Sequence, residues 1–285
     1  MEMIKVDCTY KIKEDIAFLL ESEGINKNEL SEGTKIARLT LDGIEKSGKT
    51  TDEVCEKFYA YAYGKNYRIN SVREELAKER YKNILFHGSK NGLTEISPDG
   101  SRENCDFGSG FYLGETYGQA LAFVCENKDS SVYSFRYSTA GLTTKTFDCS
   151  LDWMLAICYY RGTLGEFAES EAVRKIVAET ENADLIIAPI ADNRMFYIMT
   201  QFAEGMINAD VALHSLSASK LGMQYVFKTA KAIRKLVPFE RYYLCGPERE
   251  DCKKRLAERS FEIDTKLKLA MREYKNGLFI EEILR

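Results

Sequence analysis

An α+β fold is predicted for this chain, and three features of its sequence predict it. Residues 12–70 read as short helices divided by polar turns. Residues 81–237 mix β-branched and aromatic strand-like runs with short helical ones, and a charged helical run follows Gly246-Pro247. Helices first, then strands interleaved with helices, describe an all-α N-terminal unit joined to a mixed unit. The expected boundaries are a helical domain with its connector at 1–80, a mixed domain at 81–240 and a helical tail at 241–285.

The elements follow in order. Ile16, Phe18, Leu19 and Leu20 make residues 12–23 an amphipathic helix, which Gly24 closes. Asn26 caps a second helix over 27–32, and Gly33-Thr34 turns the chain into a third over 36–44. Thr51-Asp52 caps a fourth, which carries Val54, Phe58 and Tyr61. Residues 71–80, SVREELAKER, form a charged connecting helix. β-Branched and aromatic residues place strands at 81–86, 132–137, 185–190 and 225–227, with helices at 153–160 and 210–221. A helix over 248–274 and a final apolar turn after Asn276-Gly277 close the chain.

The composition sets limits. A length of 285 residues, 45% apolar and 29% charged, suits one or two globular domains. A net charge of −4 argues against a broadly basic nucleic-acid-binding surface. No apolar run approaches the roughly 18 residues that a membrane span needs, and the opening MEMIKVDCTYKIKED has no signal-peptide core. A cytoplasmic location with no membrane partner is therefore expected. The eight cysteines include no C-x-x-C pair, so reduced thiols and no structural metal are expected.

Chemistry concentrates in residues 84–124. A strand there ends in His87-Gly88-Ser89, and His87 is one of only two histidines. Some twenty residues later comes Gly108-Ser109-Gly110-Phe111-Tyr112, followed by a short helical run ending at Phe123. A polar trio at a strand end, opposite a glycine-rich turn with aromatic side chains, has the shape of a site for a flat polar ring and its sugar.

This pattern resembles the ADP-ribosyltransferase superfamily, on its diphtheria-toxin and poly(ADP-ribose)-polymerase side. There, a His-Gly-Ser/Thr strand end meets a Gly-x-Gly-Ile/Phe-Tyr turn, and a second aromatic follows the tyrosine by eleven positions, as Phe123 follows Tyr112. The ordered set Ser101-Arg102 with DFGSGFYL, Trp153, IIAPIADNRMF over 186–196 and Gln224-Tyr225-Val226-Phe227 resembles an uncharacterised bacterial branch of that superfamily. The resemblance implies an ADP-ribosyltransferase-like split β-sheet core, with NAD as co-substrate and a macromolecular acceptor, protein or nucleic acid. His87, Tyr112 and Gln224 would be the catalytic residues. Gly88 would pair with the nicotinamide amide, and His87 and Ser89 would bond the ribose hydroxyls. Tyr112 and Phe123 would sandwich the nicotinamide ring, and Arg102 and Arg194 would be candidates for the pyrophosphate.

The chain departs from that pattern at Gln224, which stands where the family has a glutamate. Glutamine keeps a hydrogen bond but loses the charge, and one such contact is worth about 10²–10³ in rate. Asp192 and Glu204 are the nearest acids in sequence to replace it. Ala120 stands where polymerases carry a serine. Each residue also has a plainer reading: a strand-end histidine, a tight glycine turn, core aromatics, and a surface Arg194 paired with Asp192 or Asp184.

The N-terminal helices resemble the XRE-type helix-turn-helix family through GINKNELSEGTKIARLTLDGIEKSGKTT. That resemblance implies a DNA partner, met through Lys35, Arg38, Thr40 and Lys46. Glu32, Asp42 and Glu45 close by dilute the positive surplus that phosphate contact needs. An antitoxin-like protein partner, or simple packing on the second domain, remains an equal alternative. Residues 43–50 also match the P-loop pattern G-x-x-x-x-G-K-[ST], which requires a strand just before Gly43 and a helix starting at Lys49. Three functions follow: an NAD-dependent mono-ADP-ribosyltransferase of a toxin or defence kind, an NAD-sensing helix-turn-helix regulator, and a P-loop NTPase.

Overall fold

Five helices, α1 (Ile12–Glu23), α2 (Lys27–Thr34), α3 (Arg38–Ser47), α4 (Asp52–Gly64) and α5 (Ile69–Arg80), make up the N-terminal unit. The computed structural model describes residues 3–217 and 221–285. Left-handed Gly24 ends α1, and Asn26 opens α2 with a capping box in which Glu29 bonds back to the Asn26 amide. The i, i+3/i+4 apolar positions Ile12, Ile16 and Leu19 of α1 close on Leu30, Leu41, Ile44 and Phe58 to form one small core.

The P-loop reading ends here. Residues 38–47 are helix, left-handed Gly48 caps it, and the next helix starts at Asp52. Neither the strand before Gly43 nor the helix at Lys49 exists.

The second unit is built on a seven-stranded sheet. Its strands are β2 (Ile84–Ser89), β4 (Phe111–Gly114), β5 (Ser131–Tyr137), β6 (Thr144–Thr146), β7 (Leu185–Pro189), β8 (Met223–Phe227) and β9 (Leu236–Tyr243), in the order β6-β7-β8-β4-β2-β5-β9. Short β1 (Ile4–Lys5) and β3 (Glu95–Ile96) pair separately. All neighbours in the large sheet run antiparallel except β6 and β7. The helices are α6 (Tyr117–Val124), α7 (Leu151–Tyr160), α8 (Glu171–Glu181), α9 (Asn193–Ala203), α10 (Ala209–Ser217), α11 (Ala230–Ile233), α12 (Gly246–Glu273) and α13 (Ile280–Leu284).

Alternation along the strands divides the sheet into two faces. One face holds Leu85, Phe111, Leu113, Tyr133, Phe135 and Phe227 in a single core cluster. On the other, Ile186, Ala188 and Val226 pack under α7, α9 and α10, while Ile84, Phe86 and Val132 pack under α6. Four details differ from expectation. β9 crosses the boundary expected at residue 240, so the sheet extends to Tyr243 and the tail begins at Gly246. Helices α8 and α9 lie where none was expected. The helix expected over 210–221 is described as Ala209–Ser217, and residues 218–220 of that expectation lie outside the described residues. The strand expected at 81–86 is shifted to Ile84–Ser89. The sheet has a weak seam: β2 and β4 share only the pair Phe86↔Gly114, whereas β2 and β5 share six.

The helical unit is docked on the sheet edge by buried polar contacts. Arg73 of α5 bonds Asp15 of α1 at 2.8 Å and Glu240 of β9 at 3.0 Å. Tyr59 stacks on Tyr243 with ring centroids 5.3 Å apart. Asn70 of α5 donates to the Tyr117 hydroxyl and the Glu248 carboxylate, at 2.8 and 2.9 Å, joining α5, α6 and α12.

Candidate functional site

The site forms at the seam between β2 and β4. Beyond Phe86 the two strands separate, and the His87 imidazole bridges the gap through Nδ1, 2.8 Å from the Tyr112 carbonyl oxygen. A carbonyl only accepts, so Nδ1 carries the proton and Nε2 is left as an acceptor. Burial pushes the imidazole pKa down to about 4, with the Tyr112 carbonyl opposing the shift, so the ring is neutral at pH 7. Phe111 stacks against it at 4.4 Å and fixes its plane. His87 is therefore a held, neutral ring with one free acceptor.

Gly88 has a packing reason of its own. A Cβ there would collide with the Ala120 carbonyl oxygen and lie 2.9 Å from Val124 Cγ1, so only glycine lets α6 sit on β2. Ser89 Oγ donates to the Gly92 carbonyl and closes a turn. The loop before β4 reverses at Gly108, whose φ of +72° suits glycine. The Tyr112 hydroxyl donates to the Gly108 carbonyl at 2.7 Å and accepts from the Phe107 amide at 3.1 Å, so its ring is clamped by its own turn. Burial raises the phenol pKa far above its ordinary value, and the hydroxyl stays protonated.

Gln224 lies on the same face as Tyr112, flanked across the ladder by Gly114 and Ala188. It is 7% exposed. Its Nε2 donates to Asp106 Oδ2 at 2.9 Å and to the Pro189 carbonyl at 3.0 Å. Two acceptors on one side fix the amide orientation. Among the described residues Oε1 has no hydrogen-bond partner, so it is the group's remaining acceptor. Asp106 is in turn held by Arg161, whose Nε donates to Oδ1 at 2.9 Å while its second nitrogen contacts the same oxygen. The Arg161 guanidinium lies 4.2 Å over the Phe196 ring. Arg161, Asp106 and Gln224 thus form one chain of hydrogen bonds.

The remaining expected residues fall outside this group. Arg194 pairs with Asp264 of α12 and lies 4.4 Å over Tyr197, because α9 turns it toward the C-terminal helix rather than the seam. Asp192 caps α9, accepting from the Met195 amide at 2.8 Å, and Glu204 is exposed beyond the far end of that helix. Neither hydrogen-bonds Gln224 among the described residues. Arg102 is exposed on the loop before β4, with no ion pair among the described residues. Phe123 is 72% exposed and makes no ring contact with Tyr112 among the described residues; it lies on the same turn of α6 as Ala120 and Val124, which cover Gly88. Asp106 and Arg161 were not singled out in the sequence. Asp106 is the first letter of the DFGSGFYL run, while Arg161 ends α7 fifty-five positions later, a pairing that no local pattern displays.

In the helical unit, Lys27 pairs with Asp42 and Glu45, and Arg38 bonds Asp42 and Asn28. Leu39 of α3 is 85% exposed among these paired charges. The surface of α3 is therefore close to charge-balanced with an apolar point. Among the described residues no helix is long and apolar enough to cross a membrane.

Fold and site together define a mixed α+β protein with a cluster of polar side chains beside a strand seam. Residues 83–238 match the family model described as protein of unknown function (DUF3990), and the chain belongs to that family. No curated protein and no solved structure matches the chain.

Proposed function

We propose that this protein is a mono-ADP-ribosyltransferase, using NAD to modify a macromolecular target. The observation that carries the reading is the fixed, neutral His87 at the β2–β4 seam, whose Nδ1 is committed to the Tyr112 carbonyl and whose Nε2 remains as an acceptor. Ribose offers hydroxyl donors, and neutral acceptors on rigid strands hold them without reorganising. NAD supplies a cationic leaving group, so the protein needs no strong acid. Its residues orient the sugar, keep a neutral His87 beside it, and present the clamped Tyr112 ring for stacking. With Arg194 engaged by Asp264, Arg102 is the expected arginine left free for the pyrophosphate.

The test is nicotinamide release from NAD by the purified protein, with cell lysate as acceptor, beside a His87→Ala variant. Release lost in the variant supports the reading. Equal release by both proteins sinks the site, and absence of both release and NAD binding sinks the NAD reading.

One observation favours a second reading, an NAD-sensing regulator. The acid that hydrogen-bonds Gln224 among the described residues, Asp106, is already paired with Arg161, which weakens its field at the sugar. NAD protection against heat without turnover, together with site-specific DNA binding, would select it. The internal pairing of Lys27 and Arg38 counts against strong phosphate contact.

A further inference from the structure

The residue that most clearly departs from the resemblance has a neighbour that explains it. Gln224 stands where a glutamate was expected, and its Nε2 is 2.9 Å from the Asp106 carboxylate. A glutamate in the same rotamer would put two carboxylates in contact on a residue that is 7% exposed, and one of them would be forced to take up a proton. Glutamine avoids that repulsion and turns it into a hydrogen bond. The carboxylate has not been lost from the site; it is one residue deeper, on the loop before β4.

Resting on the transferase reading above, we propose that Asp106 is the positioning residue of the site, acting through Gln224. Its Oδ2, with the Pro189 carbonyl, takes both amide hydrogens of Gln224. Oε1 is then left as the acceptor, which is the role a glutamate oxygen would fill toward a ribose hydroxyl. Asp106 also polarises the amide, making Oε1 a better acceptor. Its other oxygen is held by Arg161, itself fixed over Phe196, so the carboxylate cannot turn away.

Asp106 has a second effect. Arg161 places a cation within one side chain of Gln224, and a positive sugar would meet it unfavourably. The carboxylate cancels that charge. An Asp106→Asn variant therefore both frees the Gln224 amide to turn and uncovers Arg161.

The experiment uses the full chain and measures kcat and KM for nicotinamide release, with heat protection by NAD as a separate binding readout. Asp106→Asn is expected to lower kcat about 10²-fold, with KM and NAD protection changed less than about threefold. The exchange Asp106→Asn with Gln224→Glu moves the carboxylate onto the strand, keeps the Arg161 partner count and is expected to return kcat to within about tenfold of the parent. Gln224→Glu alone is expected to be no faster than the parent at pH 7.5. An unchanged kcat in Asp106→Asn overturns the assignment. So does an exchange variant that melts like the parent yet stays as slow as Asp106→Asn. So does a Gln224→Glu variant about tenfold faster than the parent, since the charge would then have been missing after all. A parent that releases no nicotinamide overturns the transferase reading itself and the role of Asp106 with it, and the two failures are told apart by whether the unmodified chain is active.

Discussion

Glu248 makes the docking of the helical unit depend on pH. Its carboxyl group is buried in the first turn of α12, where it accepts from the Tyr117 hydroxyl at 2.9 Å and from Asn70 Nδ2 at 2.9 Å. Desolvation raises its pKa from 4.5 to about 7; the hydrogen bonds from Tyr117 and Asn70, and the more distant Arg68 and Arg255, only partly oppose this. A raised carboxyl pKa means that the folded state holds a proton that the unfolded chain has released. Its contribution to stability is thus complete below pH 4.5, declines as pH rises toward 7, and levels off above that as a fixed cost. At 1.36 kcal/mol per pH unit, the span from 4.5 to about 7 is roughly 3 kcal/mol. Glu248→Gln removes the ionisation while keeping the acceptor for Tyr117. Its amide hydrogens face Asn70 Nδ2, and this mismatch costs about 1–2 kcal/mol. Between pH 5 and pH 7.5 that linkage amounts to about 2.4 kcal/mol, so melting curves at the two pH values should show the parent losing roughly 5 °C more than the variant, at about 2 °C per kcal/mol for a chain of this size. Parallel pH profiles for the two proteins would refute the buried-carboxylate argument.

Two further perturbations test the packing that positions the site. Gly88→Ala drives a Cβ into the Ala120 carbonyl, and backbone cannot yield as a side chain does; a loss of about 2–3 kcal/mol, read as a melting temperature lower by roughly 4 °C or more, is expected, and an unchanged value would show that α6 does not sit on β2 as described. Arg73→Ala leaves the buried Asp15 and the part-buried Glu240 without their shared cation, so a cost of roughly 3–5 kcal/mol and faster proteolysis between α1 and α5 are expected; a loss under about 1 kcal/mol would mean that the pair does not hold the helical unit in place.

What was readable in the sequence was local. Gly24, Asn26 and Thr51 are cap residues whose effect reaches only a few positions, and they mark the N-terminal helices in the structure as they do in the chain. Val173, Ile176, Val177 and Thr180 in α8 and Met195, Ile198, Met199 and Phe202 in α9 show helical spacing, so those helices are also legible in the sequence. β9 is different in kind. LVPFERYY carries a proline and two charges, which read as a linker. It survives as a strand because it lies at the sheet edge, and because the register shifts there: Ser134 pairs with Glu240 and Phe135 with Pro238, leaving Phe239 as the extra residue of a bulge. The site divides in the same way. His87 and Tyr112, which meet at the β2–β4 seam, stand in local patterns, a strand end and a glycine turn. Asp106 was missed because its meaning comes from Gln224, 118 positions away, and from Arg161, 55 positions away. A glutamine in place of an acid looks like a lost function in one dimension. In three dimensions that glutamine donates to a carboxylate, Asp106, at 2.9 Å.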